Sequence, residues 1–420
     1  MRIDTQKTLL RFYEQHLEKV LLPFWKKQLD HERGGVFTCI SNDGKNRIST
    51  DKYTWSQGRY IWLISRLIRL KRNGLIDIDD GEWFTHLQKT VQFVQNHVFL
   101  DNGNCAFLLS QTGEKKESIA GEGFDISFFA DCFVVLGFSE YSRLTGDRNL
   151  FEETLDLYNH ILKRVESGMF RSEPYPIPQG FRAHSVSMIL LNVSQELYEA
   201  AEVLSHSSQP SLQQNTIHFM NVIMNIFLKH EGFIFEMISR NQKEENLLLT
   251  RHINPGHSLE CMWFVMHAAK KLGHKEIVNK ALNVVKNTWS VGWDDQHGGI
   301  FRFVDYSGGE PKGVNRYSKY EQLVTETWDM KLWWPHSEAL YVLLLSYKIS
   351  QDLLFKEAYE RLHEYVFTTF PNSDPNVGEW IQIRDRRGKP AEKTVALPVK
   401  DPYHIIRNVL LIVELLHAVL

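Results

Sequence analysis

The stretch Gly34-Gly35-Val36-Phe37 returns almost unchanged as Gly298-Gly299-Ile300-Phe301. Shorter versions of this glycine-plus-aromatic signature are Gly103-Asn104-Cys105-Ala106-Phe107, Gly168-Met169-Phe170, Gly232-Phe233-Ile234-Phe235 and Gly378-Glu379-Trp380. Counted along the chain from the last glycine of each copy, the intervals are 68, 65, 64, 67 and 79 residues. Glycine followed by β-forming residues predicts a tight turn into a short strand. Spacing this regular indicates an internal repeat.

Between the copies lie helical patterns in pairs. We predict helices over 5–22, 52–72, 83–98, 124–144, 148–166, 183–204, 211–229, 257–272, 275–289, 333–349, 353–369 and 402–419. In each pair the helix that follows a long loop is apolar almost all round, as in FFADCFVVLGF (128–138), which is typical of a buried inner helix. Its partner carries a single apolar stripe, as in LFEETLDLYNHIL (150–162), which is typical of an outer helix.

Six inner and six outer helices predict an all-α fold, an (α/α)6 barrel with short β-hairpins in its long loops. We expect one catalytic domain over residues 1–420, because no linker or low-complexity tract divides the chain. An open α-solenoid has the same kind of period. The number of repeats and their matching long loops favour the closed barrel.

Composition excludes several classes of protein. Of the 420 residues, 43% are hydrophobic and 24% are charged, as in a folded protein with a large core rather than a disordered chain. The net charge of −3 provides no basic field for a nucleic acid. No signal peptide is predicted, and Glu414 and His417 interrupt the most apolar segment, so we expect no membrane span. Four separated cysteines without a C-x-x-C pair indicate a reduced, cytoplasmic protein.

Polar side chains interrupt the inner helices near their first turns. The residues concerned are Arg59, His257, Glu260, Glu338, His404 and Arg407. If the inner helices run parallel, these groups meet at one mouth of the barrel. His257 and Glu260 are three residues apart and share a helix face, and a histidine beside a carboxylate suits a general base. Two histidines on opposite walls would move a proton between the two faces of one carbon.

The same mouth is expected to bind the substrate. Arginine side chains at positions 59 and 407 are suited to stabilising an enolate oxygen after C–H cleavage. Tyr53 and the tryptophans at 55, 334 and 380 are candidate surfaces for a sugar ring. No H-E-x-x-H pattern is present, so no metal site is expected.

Four segments of the chain are similar to the N-acylglucosamine 2-epimerase family: WSQGR (55–59), NPGHSLE (254–260), KLWWPHSEAL (331–340) and DPYHIIRN (401–408). The resemblance extends from about Arg11 to the C-terminus. It implies an (α/α)6 barrel that epimerises or isomerises open-chain sugars through a cis-enediolate without redox chemistry. His257 and His404 are then the acid/base pair that exchanges the proton on C2.

Further roles follow from the resemblance. Glu260 is expected to orient His257, while Glu338, Arg59 and Arg407 bind the sugar and its enediolate. Relatives that act on unmodified sugars carry an additional active-site histidine where this chain has Met188, and His184, four residues earlier, is the candidate to replace part of its role. The expected substrates are therefore N-acyl-D-glucosamine and N-acyl-D-mannosamine.

Alternatives stay open at this point. The chain could epimerise or isomerise unmodified sugars, as cellobiose 2-epimerases and mannose isomerases do. A glycoside hydrolase would use two carboxylates from Asp131, Glu260, Glu338 and Glu379. A non-catalytic role is the third alternative, since mammalian relatives are known as renin-binding proteins.

Cofactors and partners are expected to be few. The chemistry requires no cofactor, and ATP is an expected activator only through the resemblance, because no complete G-x-x-x-x-G-K-[ST] pattern is present. Beyond the sugar, the expected partner is a second copy of the chain, bound through an apolar outer-helix face. The long loop over 306–327, with the glycine-rich stretch 307–313, is predicted to be a lid.

Overall fold

The structure, a computed structural model, describes residues 3–229, 232–241 and 246–418. The α-helices in these ranges are α1 Ile3–His16, α2 Leu22–Lys26, α3 Thr54–Arg72, α4 Gly81–His97, α5 Phe128–Thr145, α6 Arg148–Ser167, α7 His184–Val203, α8 Gln209–Val222, α9 Leu248–Arg251, α10 Pro255–Lys271, α11 Lys275–Gly292, α12 Lys319–Thr327, α13 Trp333–Ser350, α14 Leu353–Thr369 and α15 Tyr403–His417. A π-helical turn, Leu17–Leu21, joins α1 to α2, and another, Ile223–Phe227, extends α8.

The inner helices form a closed ring. In ring order they are α3, α5, α7, α10, α13 and α15, and each packs on the next until α15 packs against α3. The outer helices α4, α6, α8, α11 and α14 each pack on the inner helix that precedes them, and α1 packs on α15. Contact between the first and last inner helices confirms the predicted (α/α)6 barrel and excludes an open solenoid.

Each predicted helix is present, with shifted ends. The first one continues through the π-helical turn as far as Lys26, four residues past its expected end. Helix α5 begins four residues late, because the extended backbone of Ser127 forms a β-bridge with Ser172. Helix α12 was not predicted and lies within the loop expected to be a lid. The expected end of the last helix, at residue 419, lies outside the described residues.

The glycine-plus-aromatic copies form single β-bridges rather than strands. Five of the bridges join a copy to the chain just beyond an outer helix: Leu29–Val36, Phe99–Cys105, Leu228–Ile234, Trp293–Ile300 and Pro371–Trp380. At Gly34 the backbone has a φ of +84°, and a Cβ atom there would lie 2.5 Å from the Lys89 carbonyl oxygen on α4. Conformation and close approach therefore both require glycine at this turn.

Short strands place the first turns of the inner helices. They are β1 Lys52–Tyr53, β2 Leu108–Leu109, β3 Lys115–Lys116, β4 Phe181–Ala183, β5 Met237–Ser239, β6 His252–Ile253, β7 Val304–Asp305, β8 Lys331–Leu332 and β9 Ile383–Arg384. Antiparallel pairing gives the order β1-β2-β3 in one sheet and the pairs β4-β5, β6-β7 and β8-β9. The strands β1, β4, β6 and β8 lead into α3, α7, α10 and α13, so those helices start at one rim.

Two buried ion pairs hold equivalent loops at this rim. Lys52 Nζ lies 2.8 Å from Asp30 Oδ2, and Lys331 Nζ lies 3.1 Å from Asp294 Oδ2. In each copy of the repeat the aspartate lies four residues before the paired glycines, and the lysine belongs to the strand before an inner helix. The four cysteines are buried free thiols. Within the described ranges no helix combines the length and apolarity needed to cross a bilayer.

Candidate active site

A cavity opens at the N-terminal ends of the inner helices. The candidate residues that border it are Trp55, Arg59, Met188, His257, Glu260, Trp334, His404 and Arg407. They come from α3, α7, α10, α13 and α15, which are far apart in sequence. The predicted convergence of polar groups at one mouth is therefore present in the structure.

His257 is held by a carboxylate that the sequence did not suggest. Its Nδ1 lies 3.0 Å from both carboxylate oxygens of Glu236, in the segment just before β5. A carboxylate only accepts hydrogen bonds, so Nδ1 carries the proton and Nε2 remains available for chemistry. The expectation that Glu260 orients His257 is wrong, because the Glu260 carboxylate turns toward Arg407 on α15.

The surroundings of His257 and Glu236 favour the charged forms of both side chains. Burial by itself lowers the pKa of His257, but the charge and hydrogen bond of Glu236 outweigh burial and raise it above its ordinary value. Burial likewise raises the pKa of Glu236, yet the two neighbouring imidazoles, His257 and His184, hold it well below its usual range. An imidazolium at His257 is therefore stabilised beside the cavity.

His184 lies behind Glu236 and does not border the cavity. It is fully buried, with Nδ1 3.9 Å from Glu236 Oε2. Among the described residues neither ring nitrogen has a hydrogen-bond partner. Burial lowers the pKa of His184 despite the nearby carboxylate, which favours the neutral ring. It therefore does not take the place of the histidine that Met188 replaces.

His404 is supported by a different arrangement. Its Nδ1 lies 2.7 Å from Glu338 Oε1, so this ring too has Nε2 left over. Glu338 also accepts hydrogen bonds from Trp263 Nε1 at 2.9 Å, Asn408 Nδ2 at 2.7 Å and the Arg407 guanidinium. Glu338 is completely buried and does not border the cavity. The expectation that it binds the sugar is corrected, because it lies behind His404 and orients that ring.

Arg407 is a counter-ion for two carboxylates. Its guanidinium donates to both Glu260 and Glu338, and it lies 4.4 Å from the ring centroid of Tyr403. Burial raises the pKa of Glu338, but the charge of Arg407 and the hydrogen bond from His404 reverse that effect and lower it. The charges of three buried groups, each of which would be costly alone, therefore compensate one another.

Those two carboxylates and His404 also present ligand atoms within 4.8 Å of one another, a grouping that could hold a metal ion. The donor chemistry argues against a divalent cation, because the Arg407 guanidinium already donates to both carboxylates and supplies the positive charge between them. The absence of a metal site stays a prediction.

Arg59 and Asp401 face each other at the wall beside His404. The distance from Arg59 Nη1 to Asp401 Oδ2 is 3.6 Å, as is that from His404 Nε2 to the same oxygen. Within the described chain this buried oxygen has no hydrogen-bond partner. The Arg59 guanidinium also lies 4.0 Å from the ring centroid of Phe133. Both residues border the cavity, and the unpaired oxygen suits a hydroxyl donor.

The ring of Trp334 contacts the rings of both His257 and His404. Its ring centroid lies 5.1 Å from that of His257 and 5.7 Å from that of His404. Trp55 and Met188 lie on other walls of the same cavity, on α3 and α7. Because a single indole contacts both imidazoles, the two rings border one small space.

Two predicted binding residues do not reach the cavity. Trp380 is buried, and its Nε1 donates to His16 Nε2 on α1 at 2.9 Å, since its β-bridge with Pro371 turns it into the outer layer. Tyr53 packs edge-on against Phe107 at 5.4 Å and is not part of the cavity wall. Both expectations are wrong.

Two of the four carboxylates considered for a hydrolase also lie elsewhere. Asp131 accepts from Arg164 and Glu379 pairs with Lys400, both away from the cavity. The structure therefore offers no support for them as hydrolytic acids.

Sequence reasoning missed Glu236, Asp401 and Arg302, which also borders the cavity. A signal existed for Glu236, which follows the apolar run Phe233-Ile234-Phe235 as a lone charge. Asp401 was visible as the start of DPYHIIRN, and Arg302 directly follows a glycine-plus-aromatic copy. Nothing in their local spacing shows which side chains they meet.

Comparison with known proteins identifies the family of this chain. A family model described as N-acylglucosamine 2-epimerase (GlcNAc 2-epimerase) matches residues 35–408. The mouse protein named N-acylglucosamine 2-epimerase is 29% identical over 439 residues, covering 99% of this chain and 94% of its own length. A cellobiose 2-epimerase of Dictyoglomus turgidum is 20% identical, covering 93% of this chain and 94% of its own.

A solved structure shows the same fold. Cellobiose 2-epimerase from Bacillus thermoamylovorans superposes with a TM-score of 0.76 at 19% identity, covering 97% of this chain and 99% of the other. The family match spans most of the chain and includes all four segments quoted above, which carry Arg59, His257, Glu338, His404 and Arg407. This chain belongs to the N-acylglucosamine 2-epimerase family.

Proposed function

We propose that this chain is a carbohydrate 2-epimerase, an isomerase that interconverts N-acyl-D-glucosamine and N-acyl-D-mannosamine. One observation carries the proposal: two carboxylate-supported imidazoles, His257 and His404, border one cavity and contact the same Trp334 ring. The full-length similarity to mammalian proteins named N-acylglucosamine 2-epimerase supports the choice of sugar.

The geometry suits proton exchange at a carbon next to a carbonyl. With each Nδ1–H donated to a carboxylate, one Nε2 removes the proton from C2 of the open-chain sugar, and the other imidazolium returns a proton on the opposite face. Glu236 stabilises the imidazolium of His257, and Glu338 stabilises that of His404. Because C2 of an N-acyl sugar carries nitrogen rather than oxygen, the intermediate for this substrate is the enolate of the C1 aldehyde instead of the expected cis-enediolate, and Arg59 supplies positive charge for its oxygen.

The binding role of Arg407 is revised in this scheme. Its guanidinium compensates the negative charges of Glu260 and Glu338, so we assign Arg407 to the charge balance of the cavity wall rather than to sugar binding. Asp401 takes the place of Glu338 as the acceptor for sugar hydroxyls, because Asp401 borders the cavity and its Oδ2 has no hydrogen-bond partner among the described residues.

An aldose–ketose isomerase would use the same groups and return the proton to C1. Met188 in the cavity wall favours the N-acyl reading, since an apolar side chain there offers no hydrogen bond to a free C2 hydroxyl. A hydrolase needs two carboxylates free to act on a glycosidic bond. Of the carboxylates considered, Glu260 borders the cavity but is bound to Arg407.

The proposal extends to a cytoplasmic homodimer. The four free, buried thiols fit a reducing compartment. Phe12 on α1 and Leu353 on α14 are exposed apolar side chains of the outer layer, at 36% and 61%, and suit a contact between copies. Activation by ATP stays a prediction.

Incubation in heavy water with N-acetylmannosamine, mannose and cellobiose, followed by NMR, tests the proposal. We expect deuterium at C2 of N-acetylmannosamine together with the appearance of N-acetylglucosamine. A ketose product would assign the chain to aldose–ketose isomerisation. Exchange with none of the three sugars would reject the proposal.

A further inference from the structure

Arg302 lies in the cavity wall on the His257 side and has no role in the scheme above. It is 4% exposed and follows the copy Gly298-Gly299-Ile300-Phe301. Its Nη1 donates to Thr327 Oγ1 at 2.9 Å, and its Nη2 donates to Tyr175 Oη at 3.2 Å and to the Val395 carbonyl oxygen at 3.1 Å. The end of helix α12 and two separate loops therefore hold the guanidinium in a fixed position.

All three of these acceptors are neutral. Among the described residues, no carboxylate oxygen forms an ion pair with Arg302, whereas Arg407 has two carboxylate partners and Arg59 faces Asp401. A buried arginine without a counter-ion is costly unless another group satisfies it. The position of Arg302 beside the cavity makes a bound ligand the natural source of that group.

The chemistry of the wall around Arg302 is specific. A guanidinium only donates hydrogen bonds, so it suits an acceptor-only oxygen better than a hydroxyl, which both donates and accepts. Tyr320, Leu323 and Val395 border the cavity with it and provide apolar surface. A fixed donor next to an apolar surface matches a carbonyl oxygen that carries an alkyl group, as in an N-acyl substituent.

We propose that Arg302 is a specificity-determining residue that donates to the acyl carbonyl oxygen of the sugar, with the acyl methyl group against Leu323 and Val395. This inference rests on the proposed function, since it assigns the N-acyl group of that substrate to one wall. In this arrangement the C2 carbon lies between the imidazoles and its N-acyl arm extends toward Arg302. The amino-sugar preference then depends on a residue outside the proton-transfer machinery.

Titration calorimetry on the full chain with N-acetylmannosamine and with mannose tests the proposal. We expect wild type to bind N-acetylmannosamine more tightly than mannose. Arg302→Gln should weaken N-acetylmannosamine binding at least about tenfold, the usual consequence of losing a charge-assisted hydrogen bond. Its affinity for mannose should change less than about twofold. In turnover, the loss should appear in KM rather than in kcat.

Thr327→Val is the matched control. It removes one of the bonds that fix Arg302 but leaves the guanidinium, and Thr327 does not border the cavity. The preference for the N-acetyl sugar should survive in this variant. If Thr327→Val abolishes the preference as fully as Arg302→Gln does, loop order rather than acyl recognition is responsible, and the proposal fails.

Other outcomes also overturn it. Unchanged N-acetylmannosamine affinity in Arg302→Gln would do so, as would equal losses for both sugars. Tighter wild-type binding of mannuronate than of N-acetylmannosamine, lost in Arg302→Gln, would reassign the residue to an anionic sugar. Binding needs no turnover, so an Arg302-dependent preference without C2 exchange would reject the epimerase function and leave this inference standing.

Discussion

The two ends of the inner helices both bury charge, but they use it differently. At the C-terminal end the charges pair with one another across neighbouring helices. The pairs are Arg66–Glu414, Arg69–Glu140 and Arg143–Glu199. At the N-terminal end, imidazoles are supported from behind by carboxylates and keep one nitrogen toward a cavity.

The helix dipole helps to explain which charges collect where. Arg69 and Arg143, in the last turns of α3 and α5, face the partial negative charge of those helix ends. At the C-terminal end, burial raises the pKa of Glu196, and the nearby charges of Glu140 and Glu199 raise it further. That end therefore favours a neutral carboxyl beside its ion pairs.

The comparison teaches that buried charge alone does not identify a site. Both ends contain arginines and glutamates with little exposure. What distinguishes the mouth is the remaining capacity for chemistry, which consists of the two Nε2 atoms and the Asp401 oxygen beside one cavity. Substitutions at the two ends should therefore affect different measurements.

Loss of either imidazole should have the largest effect. His257→Gln and His404→Gln each remove one proton-transfer group, so we expect C2 exchange on N-acetylmannosamine to fall by roughly 10³-fold or more. Heavy-water NMR measures the exchange. Thermal unfolding of the same variants should show that the melting temperature moves by only a few degrees. If either variant keeps near-wild-type exchange, the substituted histidine is not a proton-transfer group and the proposed two-histidine mechanism is wrong.

Removal of a cation at the opposite end should affect stability instead. Arg66→Met leaves Glu414 without its ion-pair partner, while Glu140 keeps Arg69, so we expect a loss of about 3 kcal/mol in the free energy of unfolding. The kcat of the folded fraction should stay within about twofold. The double variant Arg66→Met/Glu414→Leu removes one stranded charge and should recover part of the loss in urea unfolding. A large fall in kcat would break the comparison.

Substitution of each carboxylate near His257 should distinguish the role of Glu236 from that of Glu260. Glu236→Gln removes the acceptor of His257 Nδ1–H, so kcat should fall about 10²-fold or more and the pKa of His257 should decrease. Glu260→Gln should move the pH dependence of kcat less, because that carboxylate is bound to Arg407. Equal displacement of the pH profile in both variants would return Glu260 to the role predicted from sequence.

The smallest effect should be a pH-dependent stability difference. The pKa of His257 is raised in the folded chain, so its contribution is complete below the unfolded value and is lost as pH rises through the folded pKa. Wild type should therefore exceed His257→Gln in stability by more at pH 5.5 than at pH 9, each chosen as about one unit or more from the ordinary histidine pKa. Urea unfolding at both pH values measures this. A larger difference at pH 9 would contradict the assigned Glu236–His257 pair.

Much of the fold was predictable from local patterns. The paired glycines at 34–35 and 298–299 favour turns with positive φ, which all four residues adopt, and the apolar surface of the inner helices favours their burial. Helix α12 escaped prediction because its nine residues are too few for a periodic pattern, which needs a window of roughly 11–18 residues, although Tyr320, Leu323 and Val324 follow helical spacing.

The candidate site was only partly predictable. Position near the first turn of an inner helix was enough to place His257 and His404 at one mouth. The i, i+3 spacing of His257 and Glu260 gave the wrong partner, because residues on one helix face can still turn toward different neighbours. Trp380 failed for a similar reason, since its bridge to Pro371 directs the indole toward α1.

The sequence by itself determined the repeat, the alternation of inner and outer helices, and the rim at which the imidazoles lie. Those features depend on energies that act over a few residues: backbone conformation at glycine, helix periodicity and burial of apolar faces. Only the tertiary structure decided that Glu236 meets His257, that Glu338 meets His404 and that Arg302 lacks a carboxylate partner. The two pairs join side chains 21 and 66 residues apart in the chain, so they depend on how separate elements pack, and no local pattern encodes those distances.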